Sequence, residues 1–259
     1  MKENKLTGQT FWEDYWEGKP GQKSKKKTSL AVRELLKTFD RFLPATKGLT
    51  ILEVGGAYGE YLLYLTRRFD YKAYSLDYSH IGNEQTLETF SKAGLPVEVF
   101  ERDLFSDNSD IPQFDIVYSL GFIEHFDEPE KVVAKHLDLL KPGGILLLGV
   151  PNYAGIYQPV LKRLAPSIAQ THNMQIMNIE NWKIFEEKYS LQPVFKGYIG
   201  GFEPLNMKKI EIRTPSNRVI YFFTRVLMVM FSFRMGFLRK FNSKFWSGYL
   251  IGIYRKTES

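Results

Sequence analysis

Leu49-Thr-Ile-Leu-Glu-Val-Gly-Gly-Ala-Tyr-Gly-Glu-Tyr-Leu62 decides how the rest of the chain is read. Leu49 to Val54 is a short apolar run carrying one acid, Glu53, near its end. Gly55 to Gly59 is a glycine-rich turn, and a helix opens at Glu60. A strand that delivers such a loop lets backbone approach a nucleotide-like ligand closely, because glycine has no Cβ. The helix behind it points its first amides at the same place.

Working outward, the same unit recurs. Lys72–Asp77, Val97–Glu101, Phe114–Ser119 and Ile145–Val150 read as further strands. Gly82–Ala93 and Glu130–Leu140 read as the helices between them, the second halted by Lys141-Pro-Gly-Gly144. Continuous apolar strands alternating with helices predict a doubly wound, parallel α/β sheet with helices on both faces. Upstream, Thr10–Glu17 is a short helix with Phe11, Trp12, Tyr15 and Trp16 on one face, either docked on the core or touching a ligand. A loop rich in Gly, Pro and Lys follows, then a helix over Leu30–Phe42 stopped by Pro44 and Gly48. Downstream, Pro151–Thr171 reads as a loop with a helical turn, Ile179–Tyr189 as a helix, Leu191–Tyr198 as an edge strand and Tyr249–Arg255 as the last strand. The predicted organisation is an N-terminal helical lid over 1–48 and a main domain over 49–259. The main domain carries a substrate cap at 151–178 and a helical insertion at 205–245.

Composition sets the outer limits. A chain of 259 residues with 44% hydrophobic and 25% charged side chains buries a full core. The absence of cysteine excludes disulfides, thiolate metal sites and a cysteine nucleophile. The N-terminus has no apolar signal region, so a cytoplasmic location is the default expectation. The net charge of +6 is concentrated in a lysine loop, Lys19 to Lys27, and in the stretch Lys208 to Lys256. Such a balance suits nucleic acid, anionic lipid or a phosphorylated substrate, or is a solvated face.

The acids select the ligand. Glu53 sits near the end of the first strand, Asp77 ends the second and Asp103 lies just past the third, where doubly wound sheets bind. Asp77 is placed to hold two ribose hydroxyls, and Asp103 with Leu104 to meet an adenine edge. A dinucleotide loop needs Gly-x-Gly-x-x-Gly. Starting from Gly55 its second glycine is Ala57, and starting from Gly56 it is Tyr58, so neither frame fits. A P-loop fails because Gly59 precedes Glu60. An acidic lip fits a ligand with positive charge and no phosphate, such as S-adenosylmethionine.

Glu53-Val-Gly-Gly-Ala-Tyr-Gly59 resembles the Glu/Asp-x-Gly-x-Gly-x-Gly motif of class I S-adenosylmethionine-dependent methyltransferases. Asp77, Asp103 and Phe114-Asp-Ile-Val-Tyr-Ser-Leu-Gly121 are similar to that family's next motifs. Ile123-Glu-His-Phe126 and Leu139-Leu-Lys-Pro-Gly-Gly-Ile-Leu-Leu-Leu148 are similar to the ones after those. The resemblance implies a Rossmann-like class I sheet of about seven strands, with the helical insertion between the last two. It also implies S-adenosylmethionine held by Glu53, Gly55, Gly56, Ala57, Tyr58, Gly59, Asp77, Tyr78, Asp103, Leu104, Ser119, Leu120 and Gly121. Ala57 departs from the motif's central glycine, which is tolerable if its φ is negative.

Methyl transfer requires a positioned acceptor and in some cases a base. His125, after the fourth strand, and His172, in the cap, are the candidate catalytic residues. Tyr15, Trp16, Glu124, Asn152, Tyr153 and Tyr157 are the expected acceptor contacts. His80 and His136 read as structural or exposed. No His/Asp/Glu spacing along the chain suggests a metal. The position after the fourth strand holds Ser119-Leu-Gly-Phe122, unlike enzymes that methylate the amino groups of bases. Val150-Pro-Asn-Tyr153 is similar to enzymes of small metabolites, quinones and glycans. The implied reaction is therefore O-methylation of a small or lipid-linked acceptor, with a catalytically silent scaffold or an RNA methyltransferase as alternatives.

Arg218 to Lys240 stands apart. Arg218, Arg225, Ser232 and Arg239 recur every seventh residue, and the rest of the helix surface is apolar. Arg225 and Arg234 at the centre of a spanning helix would each cost roughly 2.5–3.5 kcal/mol, so it is not read as transmembrane. A buried helix capping the sheet, a homodimer contact and a helix lying on a membrane surface all fit the pattern.

Overall fold

The computed structural model describes residues 5–17, 29–202, 214–234 and 241–258. Seven strands form one sheet in the order β3-β2-β1-β4-β5-β7-β6. They are β1 Thr50–Val54, β2 Lys72–Asp77, β3 Glu98–Glu101, β4 Phe114–Leu120, β5 Leu140–Pro151, β6 Leu191–Phe202 and β7 Ser247–Lys256. The first five are mutually parallel, β7 runs antiparallel to β5, and β6 runs antiparallel to β7 at the edge. From β1 the chain moves outward to β2 and β3, then returns to place β4 on the other side. That reversal opens a crevice beyond the carboxyl ends of β1 and β4.

Both faces of the sheet are covered, which is why its strands read as unbroken apolar runs. Leu52, Val54, Val117, Leu146 and Leu148 face one core with Val132, Trp182 and Phe185. Their alternate neighbours Ile51, Ile116, Ile145 and Leu147 face the other with Phe39, Leu62 and Leu65. The second core is roofed by α2 Leu30–Phe42 and α3 Glu60–Phe69, and the first by α5 Pro129–Asp138 and α8 Lys183–Tyr189. Ser29 caps α2, its hydroxyl accepting from Val32 N at 3.2 Å. Ser79 caps α4, His80–Ala93, in the same way, accepting from Gly82 N at 3.0 Å.

Several expectations are corrected. Lys141-Pro-Gly-Gly144 belongs to β5, where Gly144 leaves no room for a Cβ and the β4–β5 register shifts. The 151–171 stretch is helical, with α6 Gln158–Leu164 and α7 Pro166–Thr171 enclosing a small core of Tyr157, Leu161, Ala165 and Ile168. The predicted helix over 179–189 starts as a 3-10 turn before α8.

Two helices depart from the burial their patterns suggested. α1, Gln9–Glu17, buries none of its residues and is not stapled to the main core. It lies across the crevice. α9, Pro215–Arg234, does not cap the sheet as a buried helix, because its apolar side chains face outward. No helix among the described residues is long and apolar enough to cross a membrane. The lysine loop, the insertion's residues 205–213, and Arg239 and Lys240 lie outside the described residues.

Candidate active site

The crevice is a cavity of about 430 Å³ walled by the glycine loop, the ends of β1, β2 and β4, the turn after β4, and α1. The loop's conformation follows from two glycines. Gly55 has φ +68°, and a Cβ there would stand 2.2 Å from the Phe122 ring. A Cβ on Gly56 would stand 2.0 Å from the Glu53 carboxyl carbon. Side chains at either position would fill the cradle. Ala57 is not among the residues with positive φ. That conformation falls to Tyr58 instead, at φ +79°, so the motif's missing glycine is not strained. The Ala57 methyl packs towards Gly82, where an added Cβ would approach it to 3.0 Å.

The acids meet beside this loop. Burial pushes the Glu53 carboxyl up to about 8. The Tyr118 hydroxyl draws it down and the Asp77 carboxylate adds to the rise. Glu53 Oε2 is buried with no hydrogen-bond partner among the described residues. Burial likewise raises Asp77 to about 6, even though Ser79 N donates to its Oδ1 at 2.8 Å. An unsatisfied buried carboxylate is costly, and a cationic N–H donor would relieve it. Among the described residues the cavity wall holds acids and no lysine or arginine. A phosphate is therefore disfavoured, while an adenosyl group carrying a sulfonium and an ammonium fits the residues present.

α1 closes the opposite side with Phe11, Trp12, Tyr15 and Trp16. Trp16 stacks edge-on to Tyr58 at 4.9 Å and Trp12 edge-on to His125 at 4.9 Å. Polar contacts hold α1 down. Glu13 accepts from His80 N at 2.9 Å, from Ser79 Oγ at 3.1 Å and from Ile81 N at 3.3 Å, placing a carboxylate on the N-terminus of α4. Burial would raise its pKa, but these hydrogen bonds outweigh it and hold it below the ordinary glutamate value. Gln9 Nε2 donates to Tyr78 O at 2.8 Å.

At the acceptor end, the 3-10 turn Ile123–His125 presents Glu124 and His125, and the end of α7 brings in His172. The two imidazole centroids are 4.4 Å apart. His125 Nδ1 lies 2.7 Å from Thr171 O and His172 Nδ1 lies 2.9 Å from Ile168 O. Each Nδ1 thus carries the proton it donates to a carbonyl, which turns the basic Nε2 away from the backbone. One atom from each of Glu124, His125 and His172 lies within 4.8 Å of the others, a set that could hold a metal ion. No spacing along the chain predicted this cluster, because His172 arrives from a different segment.

Of the residues expected at the site, Glu53, Gly55, Gly56, Ala57, Tyr58, Asp77, Tyr78, Leu120, Gly121, Glu124, His125, His172, Tyr15, Trp16 and Tyr153 line the cavity. Six stand outside its wall. Asp103 is ion-paired with Lys5, whose ammonium also sits over the Tyr78 ring. Leu104 is in the core, Ser119 is buried within β4, and Gly59 begins α3. Asn152 instead binds Lys244 O and Ser247 O, and the Tyr157 hydroxyl donates to Trp246 O at 2.8 Å. Both side chains fasten the approach to β7. Sequence reading missed Phe122, Tyr249 and the Glu13 contact. Phe11 and Trp12 shared the aromatic spacing of Tyr15 and Trp16 and could have been included.

A sheet of this order with acids at the ends of β1 and β2 and a crevice hostile to phosphate defines a class I S-adenosylmethionine-dependent methyltransferase. Residues 27–194 match the family described as a methyltransferase domain, and the chain belongs to that family. Its cofactor is S-adenosylmethionine. A dimethylglycine N-methyltransferase from Parasynechococcus marenigrum is 26% identical over 174 residues, and the match spans 60% of each protein's length. A candidate sarcosine dimethylglycine methyltransferase from Galdieria sulphuraria shares the fold at a TM-score of 0.60 and 14% identity, covering 96% of this chain and 98% of that one. A geranyl diphosphate C-methyltransferase from Streptomyces coelicolor shares it at a TM-score of 0.56 and 11% identity, covering 85% and 76%.

Proposed function

We propose that the protein methylates a hydroxyl oxygen of a small, uncharged acceptor, free or carried on a lipid. The observation that carries this reading is the paired imidazoles of His125 and His172 at the cavity wall, each oriented through Nδ1. S-adenosylmethionine supplies an electrophilic methyl on its sulfonium. Glu53 receives the cofactor's ammonium and Asp77 its ribose hydroxyls. Asp103 reaches the adenine edge beside Leu104 once Lys5 releases it. Within 1–48, α1 serves as the lid over the crevice and excludes water from the transfer, while α2 packs on the sheet. Tyr15, Trp16 and Tyr153 pack against apolar faces of the acceptor, and Glu124 accepts a hydrogen bond from it. A histidine Nε2 would take the acceptor's hydroxyl proton as the methyl group is transferred to its oxygen.

The absence of lysine and arginine from the described wall counts against acceptors bearing carboxylates or phosphates, and against nucleic acid. The same aromatic and acidic wall favours one second reading, a cationic amine held by cation–π contacts. A panel of neutral sugars, phenols and amines scored by S-adenosylhomocysteine release separates the two. On the first reading hydroxyl compounds turn over, and His125→Ala and His172→Ala each lower kcat by about 10²–10⁴ while cofactor affinity holds. Turnover confined to amines, or histidine variants as fast as wild type, would sink it.

A further inference from the structure

Val219, Phe222, Phe223, Val226, Leu227 and Met230 follow the i, i+3, i+4, i+7, i+8 spacing by which a helix buries one stripe. In α9 that stripe is turned to solvent: Phe222 is 62% exposed, Phe223 60% and Met230 58%. Phe241, Phe245 and Ile156 add exposed apolar surface where α6 begins. An unpartnered face of this size on a folded chain marks a contact surface.

We infer that α9 and the Phe241–Phe245 segment dock the protein on an anionic lipid surface. Charge selects this occupant. Between Ile212 and Thr257 the sequence has no aspartate or glutamate and nine lysines and arginines. Arg218 and Arg225 stand beside the apolar stripe, and Lys244 lies between Phe241 and Phe245. A second copy of the same face would set like charges together, whereas anionic headgroups complement them. With three arginines along it and no capacity to span, α9 lies in the interface plane.

The surface is joined to the cavity. Ile156 N donates to Phe245 O at 3.0 Å, and Asn152 Nδ2 to Lys244 O at 3.2 Å. Pro151 and Tyr153, on either side of Asn152, line the cavity's acceptor end. Docking here presents that end to the bilayer, so an acceptor on a lipid carrier enters without leaving the membrane. This delivery role rests on the methyl-transfer reading; the docking does not, and the two are read separately.

The test is vesicle flotation of the full chain. Phosphatidylcholine vesicles with and without about 30% phosphatidylglycerol are compared at ~50 and ~500 mM salt. The expected result is flotation with the anionic vesicles alone, weakened at high salt. Phe222→Ser with Leu227→Ser should lower the bound fraction at least about tenfold, and Arg218→Glu with Lys244→Glu should abolish the preference for phosphatidylglycerol. Calorimetric titration with S-adenosylmethionine on each variant confirms an intact fold and reads the methyltransferase site independently. Normal cofactor binding without flotation on anionic vesicles would overturn the docking. So would a dimer in sedimentation velocity that the Phe222/Leu227 double variant dissolves.

Discussion

Replacing Glu53 by glutamine tests the electrostatics of the proposed cofactor contact. The Glu53 carboxyl has an ordinary value of 4.5 and stands at about 8 in the folded protein. Between those values the folded state holds a proton that the unfolded state has lost, so stability falls as pH rises through this window. That rise corresponds to about 5 kcal/mol, lost in full above pH ~8. Glutamine keeps the shape and cannot ionise. Thermal melts of the two ligand-free proteins from pH 5 to 9 should therefore diverge, with wild type falling below the variant by about 10 °C or more at the alkaline end. Asp77, raised from 3.8 to about 6, is common to both and cancels above pH 6. Cofactor binding runs the other way, because the cationic ligand needs the carboxylate. Wild-type affinity should climb by up to about tenfold per pH unit towards 8, while the variant binds weakly with little pH dependence. Parallel melting curves for the two proteins across this range would refute the assignment.

Asp77→Ala should weaken S-adenosylmethionine binding by about 100-fold, of the order lost with a pair of charge-assisted hydrogen bonds, as read by isothermal titration; unchanged affinity would remove Asp77 from the ribose site. Gly56→Ala places a Cβ 2.0 Å from the Glu53 carboxyl carbon, so it should cost about 1–3 kcal/mol in chemical denaturation and abolish measurable cofactor binding. Glu13→Ala removes the acceptor for His80 N, Ile81 N and Ser79 Oγ, which should cost about 1 kcal/mol of α1 docking and appear as faster amide exchange across Gln9–Glu17.

What the chain declares locally and what it declares only when folded divide cleanly at this site. The sheet was legible because a strand covered on both faces must be largely apolar, and the centres of β1, β4 and β5 are. Glu53 and Asp77 were legible because a strand's end fixes where its acid lies, and the glycine loop because only a residue without Cβ fits such a turn. Asp103 lies just past β3 as its position in the chain implies, yet its partner Lys5 comes from 98 residues away. Asn152 and Tyr157 sat in the right segment, but their bonds to the backbone before β7 depend on a strand that arrives about ninety residues later.

Sequence by itself therefore determined the α/β sheet, the glycine loop and the positions of Glu53 and Asp77 beside it, since each follows from backbone sterics or strand periodicity within a few residues. Tertiary structure alone decided how α1 is held over the cavity, through Glu13 on the N-terminus of α4, that one atom each of Glu124, His125 and His172 converges within 4.8 Å, and that the apolar stripe of α9 faces water and not the core. Those outcomes rest on pairings between distant segments. Helical periodicity fixes which residues share a face, but only packing decides what that face meets.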